Sequence, residues 1–395
     1  MARLEEICSL ITDGSHFSPE DEGVGYPMFS VKDMTPNGFN ISGCKKIGEE
    51  AYKKLVANGC KPLNDDVVVA KDGSYLKTAF VIKGNPEIAL LSSIAILRPK
   101  IDLVVPEYLS YFLKSDAVYR TVSLNYITGT ALKRIILKGI RKIEVDLPDI
   151  GEQEQRAQRL SKVDYLCQLR KQQLDKLDEL VKARFVEMFG DSVANTKNFP
   201  STTLETVMTV FPQNGLYKPQ TDYVQDDTGI PILRIDAFYN GKVTNWNTLK
   251  RLICSETEID RYLLRENDIV INRVNSIEYL GKCAHIVGLK EKTVFESNMM
   301  RFHMDEKKVN AVYVTEVLCT EDIYRQILRR AKKSVNQASI NQEDVKSLEI
   351  LVPPLSLQNQ FAAFVERVDQ QKQTVQQSLE KLELMKKALM QEYFG

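Results

Sequence analysis

The sequence repeats itself after 205 residues, and this repeat restricts the chain to folds built from two similar halves. The segment KARFVEMFG at 182–190 returns as KALMQEYFG at 387–395. From Tyr108, which matches Tyr313, the two copies align without a gap. Before Tyr108 they still match, but with changing offsets that indicate loop insertions. A period of about 200 residues is too long for a solenoid, so we predict a tandem duplication of one domain.

Each copy begins with a region that mixes predicted strands and helices. Residues 106–122 and 310–328 carry the apolar spacing of amphipathic helices. Short β-branched runs between Gly, Asn and Pro predict strands. These runs are VVVA at 67–70, AFVI at 79–82, IVIN at 269–272 and HIV at 285–287.

Each copy continues as one long helix. Residues 152–189 and 357–394 contain neither Gly nor Pro and repeat apolar residues every seven positions. We therefore predict an α+β protein with two similar mixed α/β domains, each followed by a long helix. The predicted segments are a first domain at 1–150, a first helix at 151–190, a second domain at 191–352 and a second helix at 353–395.

The apolar seam of the long helices predicts their packing. An isolated helix with such a seam would expose an apolar stripe, so we expect an antiparallel coiled coil within the chain. The alternative, in which each seam binds a helix of another protein, stays open. A helix of roughly 37 residues would be about 55 Å long and could act as a spacer. The predicted seam consists of Leu160, Leu174, Leu177, Val181, Val368, Val375, Leu382 and Leu389.

Charge is balanced overall but unevenly placed. The 53 basic and 53 acidic residues cancel, which argues against non-specific polyanion binding. Residues 117–143 and 323–342 nevertheless contain no acid, and the repeat nearly superimposes them. Basic and amide side chains here are candidates for contacts with DNA phosphates and base edges, although a solvated helix face is the ordinary alternative. The candidates are Arg120, Lys133, Arg134, Lys138, Arg325, Arg329, Arg330, Lys332, Lys333, Asn336 and Gln337.

Two further pairs of loops are weaker candidates. KDGSYLK at 71–77 corresponds to NRVNSIEY at 272–279, and DGSHF at 13–17 to QNGLYKP at 213–219. Turn residues of this kind are common in any loop, so their chemistry alone is not specific. The candidate DNA contacts are Lys71, Ser74, Tyr75, Arg273, Asn275, Ser15, His16, Tyr217 and Lys218.

The sequence lacks the motifs of common enzymes. It has no P-loop, no G-x-G-x-x-G after a strand and no Asn- or Asp-Pro-Pro-aromatic tetrapeptide typical of amino-methyltransferases. The three histidines lie far apart, and the seven cysteines never form a C-x-x-C pair. No apolar run approaches the roughly 20 residues that span a bilayer, and the N-terminus MARLEEICSL lacks the basic start of a signal peptide. We expect a cytoplasmic protein that has no catalytic residues and binds no metal or cofactor itself.

The repeated segments resemble the specificity (S, HsdS) subunit of type I restriction–modification systems. The resemblance rests on PEYLSYFLKS at 106–115, on the two FG helix ends and on a strand–proline–glutamine junction. This junction reads IEVDLPDIGEQEQ at 143–155 and LEILVPPLSLQNQ at 348–360. The first copy departs from the usual pattern, since it has LPDI where PPL is typical and no counterpart of Gln337.

The resemblance implies a role that composition does not. Each domain would read one half of a split, asymmetric target in double-stranded DNA, and the helices would set the distance between the halves. The helices would also dock modification (methyltransferase) subunits, which carry S-adenosylmethionine and methylate adenine. A restriction subunit that uses ATP and Mg²⁺ would then join, and no membrane is involved. The alternative is a non-catalytic two-domain protein scaffold that does not bind DNA.

Overall fold

The structure, a computed structural model, describes residues 1–73, 75–128, 133–226 and 228–395. The chain divides into two compact units. Unit 1 contains residues 1–173 and 375–395, and unit 2 contains residues 174–374. Each unit thus takes its strands and short helices from one copy of the repeat and contains parts of both long helices. Both units mix helices with antiparallel strands, which confirms the predicted α+β class.

The strands of unit 1 are short and mostly antiparallel. Its main sheet has the order β2-β10-β7-β8, and smaller sheets are β1-β13, β6-β3-β9, β4-β5 and β11-β12. Their bounds are β1 (Ala2–Arg3), β2 (Cys8–Asp13), β3 (Tyr26–Phe29), β4 (Met34–Thr35), β5 (Gly38–Phe39), β6 (Lys45–Ile47), β7 (Val67–Ala70), β8 (Ala79–Val81), β9 (Ala89–Leu90), β10 (Ile94–Pro99), β11 (Ile127–Thr128), β12 (Arg134–Ile135) and β13 (Glu144–Val145).

The position of strand β7 inside the main sheet explains why its residues are all apolar. Val67 and Val69 pack into a core cluster with the helices of unit 1, whereas Val68 points into a second cluster with Phe29 and Phe80. A strand buried on both faces needs consecutive apolar residues, so VVVA shows no alternation. The helices of unit 1 are α1 (Leu4–Ile7), α2 (Glu49–Ala57), α3 (Pro106–Leu113), α4 (Asp116–Asn125), α5 (Leu137–Arg141) and the first long helix α6 (Ile150–Phe189), which continues into unit 2.

Unit 2 repeats this plan with a larger main sheet. The sheet orders are β15-β25-β21-β23-β19-β18, β16-β20-β17-β24, β22-β27-β26 and β14-β28. The strands are β14 (Ser201–Thr203), β15 (Met208–Asn214), β16 (Tyr223–Val224), β17 (Ile230–Leu233), β18 (Phe238–Tyr239), β19 (Gly241–Val243), β20 (Lys250–Leu252), β21 (Asp268–Asn272), β22 (Val274–Asn275), β23 (Cys283–His285), β24 (Val294–Phe295), β25 (Met299–Met304), β26 (Lys332–Lys333), β27 (Ala338–Ser339) and β28 (Glu349–Leu351). The strand predicted at 285–287 therefore lies earlier and ends at His285.

The α-helices of unit 2 match α2 to α6 of unit 1 in order, and a 3-10 helix at Leu204–Val207 takes the place of α1. These α-helices are α7 (Glu256–Tyr262), α8 (Ala311–Leu318), α9 (Glu321–Arg330), α10 (Gln342–Lys346) and the second long helix α11 (Leu355–Phe394). In the described parts of the chain, each helix is either too short or too polar to cross a membrane. Within the same ranges, no group of three or more His, Cys, Asp or Glu side chains is placed to hold a metal ion.

The two predicted amphipathic helices are each broken in two. The prediction of one helix at 106–122 is wrong because Ser115 starts a new helix, its Oγ accepting a bond from the Val118 amide (3.3 Å). Thr320 acts in the same way in unit 2, where its Oγ1 accepts from the Ile323 amide (3.4 Å). Such hydroxyl caps satisfy backbone amides that have no partner within the helix at its start. The chain therefore turns from α3 to α4 in unit 1 and from α8 to α9 in unit 2.

The aligned glycines Gly14 and Gly215 allow the same close backbone approach. A Cβ on Gly14 would lie 2.1 Å from the carbonyl oxygen of Leu90, and one on Gly215 would lie 2.2 Å from that of Glu296. Neither distance can be accommodated without moving the backbone. Both positions therefore require Gly, and the repeat preserves this requirement.

Parts of both long helices contact each other within each unit. In unit 1, Lys386 forms an ion pair with Asp164, and Arg170 Nε donates to Ser378 Oγ (3.2 Å). In unit 2, Lys372 forms an ion pair with Asp178. Residues nearer the start of α6 contact residues nearer the end of α11, and residues nearer the end of α6 contact residues nearer the start of α11. Of the predicted seam, Leu160, Val181, Val368 and Val375 are buried, and Leu174, Leu177, Leu382 and Leu389 are half-buried.

Candidate nucleic-acid interface

A basic hairpin is the most exposed of the predicted contact segments in unit 2. Strands β26 and β27 pair Lys332 with Ser339 and Lys333 with Ala338, and the Ser334 amide donates to the Gln337 carbonyl (2.7 Å) across the turn. We call residues 332–339 the unit 2 hairpin. Both lysines and both predicted amides, Asn336 and Gln337, are exposed. The hairpin thus presents two cations and two amide side chains on one short projection.

The unit 2 hairpin joins the loop at 272–279, which the sequence identified separately. Strand β27 pairs with β22, placing Asn275 opposite Ala338. The Ile340 amide also donates to the Arg273 carbonyl (2.9 Å). Asn275 is half-buried, and the Arg273 guanidinium donates to the Ser297 carbonyl (3.0 Å). Two predicted segments are therefore one surface, although the Arg273 guanidinium is turned toward the backbone at Ser297.

Helix α9 leads into the hairpin and carries three predicted arginines. Arg325 and Arg329 are exposed, with Arg325 3.5 Å from Glu321. Arg330 is different, because its guanidinium donates to Oγ and the carbonyl oxygen of Ser347, both at 3.0 Å. Arg330 stays a predicted DNA contact, although its guanidinium is already bonded within unit 2. These bonds join the end of α9 to the residue that follows α10.

Unit 1 builds a corresponding surface from β11 and β12. The Gly73 amide donates to the Lys133 carbonyl (2.9 Å), and the Ile135 amide donates to the Lys71 carbonyl (3.0 Å). This second bond corresponds to the one between Ile340 and Arg273. Residues 129–132, between the two strands, lie outside the described residues. The predicted contacts Arg120, Lys133, Arg134 and Lys138 are exposed, and the Arg134 guanidinium is 3.4 Å from Asp72.

Two predicted contacts in the loop at 71–77 are corrected by their burial. The Lys71 ammonium is buried in an ion pair with Asp13. Tyr75 is buried too, with its hydroxyl 3.0 Å from Ser123 Oγ and its ring stacked on Tyr119 at 5.2 Å. Both side chains hold unit 1 together and are not available to a ligand. Ser74 lies outside the described residues.

Replacing Tyr75 with Phe tests this correction. The variant lacks one partly buried hydrogen bond, so we expect unit 1 to lose about 1 kcal/mol of stability. DNA affinity should change by less than about 0.5 kcal/mol, because the hydroxyl faces the protein. Denaturant unfolding and DNA titration measure the two quantities. A large drop in affinity with unchanged stability would mean that the hydroxyl reaches DNA.

The loop at 13–17 presents the exposed rings of His16 and Phe17, and the loop at 213–219 presents that of Tyr217. The side chain of His16 is 80% exposed, and Tyr217 is 78% exposed. Ser15 is buried, and its Oγ donates to the Phe17 carbonyl (2.6 Å). Lys218 is held by Glu258 (2.9 Å), whose hydrogen bond raises the pKa of the lysine. Ser15 is thus corrected to a structural role, whereas Lys218 is half-buried and stays a predicted contact.

These ring-bearing loops are connected to the basic surfaces in the same way in both units. In unit 1, the Ser92 amide donates to the Ser15 carbonyl (2.9 Å), and the Lys71 amide donates to the Ser93 carbonyl (2.8 Å). In unit 2, the Ser297 amide donates to the Leu216 carbonyl (2.9 Å), and the Arg273 amide donates to the Asn298 carbonyl (2.8 Å). In each unit, one turn therefore bridges the ring-bearing loop and the loop that meets the basic strands.

Sequence reasoning missed two exposed apolar side chains on these surfaces. Val335, at the tip of the unit 2 hairpin, is 97% exposed, and Phe17 follows His16 on the surface of unit 1. Apolar side chains of this kind can contact the methyl group of thymine. The available signal was an isolated apolar residue within a polar loop, such as the Val in KKSVNQAS.

Comparisons with known proteins agree with the repeat. The family model described as type I restriction modification DNA specificity domain matches residues 1–179 and again residues 199–384. A protein of Methanocaldococcus jannaschii, provisionally named type I restriction enzyme MjaX specificity subunit, is 30% identical over 187 residues, which are 46% of this chain and 42% of that protein. The type I restriction enzyme EcoKI specificity subunit of Escherichia coli K12 is 24% identical over 337 residues, which are 80% of this chain and 70% of that protein.

A solved structure shares the fold. The crystal structure of the S subunit of a type I restriction–modification system from M. genitalium aligns with 100% of this chain and 95% of its own, with a TM-score of 0.59 and 13% identity. At this identity the likeness concerns the fold, and it extends over both units.

Proposed function

We propose, because this chain belongs to the type I restriction modification DNA specificity family, that unit 1 and unit 2 each read one half of a split, asymmetric sequence in double-stranded DNA. One observation carries this proposal. Both units present exposed basic residues on or beside a pair of short strands. In each unit these strands follow the corresponding helix, α4 or α9, and join the corresponding loop, 71–77 or 272–279. A protein scaffold without DNA binding would not need matched basic surfaces in two copies that differ elsewhere.

In unit 2, the hairpin supplies both kinds of contact that DNA recognition needs. Lys332, Lys333 and the preceding Arg329 can neutralise phosphates, which fixes the position of the protein on the duplex. Asn336 and Gln337 have the amide geometry that pairs with the N6 and N7 edge of adenine. Val335 lies between the lysines and the two amide residues in the sequence, and its side chain can contact a thymine methyl group.

In unit 1, the corresponding contacts are less rich in amides. Lys133, Arg134 and Lys138 are the proposed phosphate ligands, and Arg120 lies on the preceding helix α4. His16 and Phe17 are the proposed groups that face the bases. Because the side chains differ from those of unit 2, the two half-sites should differ in sequence.

The long helices form the second part of the proposal. The pairing within each unit supports one antiparallel coiled coil of α6 and α11, which would fix the distance between the half-sites. Buried seam residues in both units favour this internal pair over seams that bind helices of other proteins. Side chains that stay exposed on the helices, such as Tyr165 and Leu384, are then free to dock partner subunits. The proposed segments are 1–150, 151–190, 191–352 and 353–395.

Catalysis would be carried out by partner subunits. In this proposal a modification subunit brings S-adenosylmethionine and methylates adenine, and a restriction subunit brings ATP and Mg²⁺. This chain would act in the cytoplasm as the non-catalytic subunit that selects the sequence.

A mobility-shift titration of duplex DNA tests the proposal. The chain is mixed with its modification subunit at two salt concentrations, using DNA that carries the motif found by methylome sequencing of cells with and without this protein. We expect binding that needs both proteins and weakens steeply with salt, because phosphate contacts release counterions. The scaffold alternative predicts the opposite result, namely no DNA binding in any combination and an unchanged methylome.

A further inference from the structure

Two cysteine thiols of unit 2 lie in direct contact. The Sγ atoms of Cys283 and Cys319 are 3.7 Å apart. Cys283 belongs to β23 and is 1% exposed, whereas Cys319 directly follows α8 and is exposed. A disulfide requires an S–S distance of about 2.05 Å. A movement of less than about 2 Å would therefore join a central strand to the end of a helix.

The fold does not require this thiol pair, since unit 1 builds the same junction without it. Ala79 pairs with Val69 in the sheet of unit 1, as Cys283 pairs with Ile271 in unit 2. The residue after α3 is Lys114, where the residue after α8 is Cys319. Neither position needs sulfur to form the strand or to end the helix. Among the described residues, the thiol pair occurs in unit 2 and has no counterpart in unit 1, so it calls for its own explanation.

Small molecules have a route to the pair. A cavity of about 290 Å³ is lined by both cysteines, together with Lys282, Thr320 and Tyr324. One water molecule occupies about 30 Å³ in the liquid, so a peroxide fits easily. Because Cys319 is exposed and Cys283 is not, the first reaction should take place on Cys319.

We propose that Cys283 and Cys319 form a reversible disulfide when the thiol of Cys319 meets a peroxide. Sγ of Cys319 attacks a peroxide oxygen, an S–O bond forms, the O–O bond breaks and the thiol proton leaves with the departing oxygen as water or an alcohol. Sγ of Cys283 then displaces the hydroxyl group, so that the S–S bond forms and water leaves with the Cys283 proton. The two thiols lose two electrons, which the peroxide takes up. A dithiol reductant reverses the step by exchange.

The surroundings of Cys283 fix the order of the two steps. The pKa of the Cys283 thiol is raised well above the usual range, mainly by its hydrogen bond with Cys319 and also by its burial. Cys283 therefore stays protonated and unreactive toward peroxide until its neighbour has become a sulfenic acid.

The disulfide would tie β23 to the end of α8, and the next helix, α9, leads to the unit 2 hairpin. It would close a loop between residues 283 and 319, which restricts the unfolded chain. We expect the melting temperature of unit 2 to rise by roughly 5–10 °C on oxidation. This inference does not rest on the proposed function, because it concerns the chemistry of unit 2 with or without DNA.

Peptide mapping of the full chain tests the proposal. The protein is treated with hydrogen peroxide, its remaining thiols are alkylated under denaturing conditions, and it is digested with trypsin. We expect peptide 283–290 to be linked to peptide 309–325, a link that dithiothreitol removes. Cys283→Ser and Cys319→Ser should each abolish the link. Cys254→Ser is the matched control and should retain it, since Cys254 is a half-buried thiol elsewhere in unit 2.

Two results would overturn the proposal. One is overoxidation of Cys319 to sulfinic acid while Cys283 is recovered fully alkylated, because the two sulfurs would then never react. The other is a link that forms equally in the unfolded chain treated with peroxide in denaturant, because the folded contact between the two sulfurs would then play no part. A linked protein whose melting temperature equals that of the reduced form would contradict the expected stabilisation of unit 2. The Cys319→Ser variant supplies the baseline for this comparison, and peroxide should leave its melting temperature unchanged.

Discussion

Replacing Phe394 with Ala should destabilise unit 1 by about 3–5 kcal/mol, the usual cost of removing a buried aromatic ring. Phe394 belongs to the FG end of the second long helix, yet its ring lies in the core of unit 1. It is 5.1 Å from the ring of Tyr108 and 6.0 Å from that of Phe112. A cavity would open between α3 and the C-terminal end of α11, and the 470 Å³ pocket beside Phe394 leaves few groups to fill it.

The repeat supplies a matched experiment in the other unit. Phe189, at the FG end of the first long helix, is buried against Tyr313 at 4.7 Å and Phe361 at 5.4 Å, all within unit 2. Phe189→Ala should therefore cost unit 2 a similar amount. Each FG end completes the core of the unit to which its own helix end belongs.

The two effects can be measured separately. The chain has one Trp, and Trp246 lies in unit 2 with its Nε1 donating to the Val287 carbonyl (3.1 Å). Its fluorescence follows the unfolding of unit 2, and hydrogen exchange of peptides from α3 and α4 follows unit 1. Phe394→Ala should accelerate exchange in α3, whereas Phe189→Ala should move the fluorescence transition.

Exposed apolar residues of the same helices provide the controls. Val186 is 60% exposed and Leu384 is 67% exposed, so replacing either with Ala should change stability by less than about 0.5 kcal/mol. If Phe394→Ala moved only the Trp246 transition, the placement of the second FG end in unit 1 would be wrong.

The long helices were predictable because their signal is local and strong. The heptad spacing and the absence of Gly and Pro predicted helices at 152–189 and 357–394, and the structure has them at Ile150–Phe189 and Leu355–Phe394. The breaks at Ser115 and Thr320 were not predicted, although both residues are good helix caps. Apolar periodicity continues across each break, because both short helices pack on the same core.

The roles of the basic residues were much harder to predict. Sequence gives the charge of a side chain but not its direction, and direction depends on contacts with distant residues. Lys71 is neutralised by Asp13, which lies 58 residues earlier, and Arg330 is bound by Ser347, which lies 17 residues later. The hairpin lysines differ because short paired strands at a surface leave their side chains in solvent.

Replacing both Lys332 and Lys333 with Ala should weaken target binding by roughly a hundredfold, because each ammonium bound to a phosphate should contribute about 1.5 kcal/mol. Both side chains are exposed, and neither side chain is seen to bond to another described residue, so the fold should tolerate the change. The slope of log affinity against log salt should fall by about 2, one for each phosphate that is no longer neutralised. A titration at several salt concentrations, with the modification subunit present, measures both effects.

A second pair of lysines in the same unit is the matched control. Lys307 and Lys308 are adjacent, exposed and close to the start of α8, outside the proposed interface. Changing both to Ala removes the same charge from unit 2, so any general effect of net charge appears in this variant too. An equal drop in affinity in both variants would mean that the hairpin holds no specific phosphate contacts.

Asn336 and Gln337 separate positioning from base reading within the same hairpin. Replacing both with Ala should leave the salt slope unchanged, because neither side chain carries a charge. It should lower discrimination by about 1–3 kcal/mol for each base pair that an amide reads. Since these residues belong to unit 2, the methylated motif should become degenerate in one half only. Degeneracy in both halves would show that the two units do not read DNA independently. Unchanged specificity in this variant would show that the hairpin contacts phosphates but does not read bases.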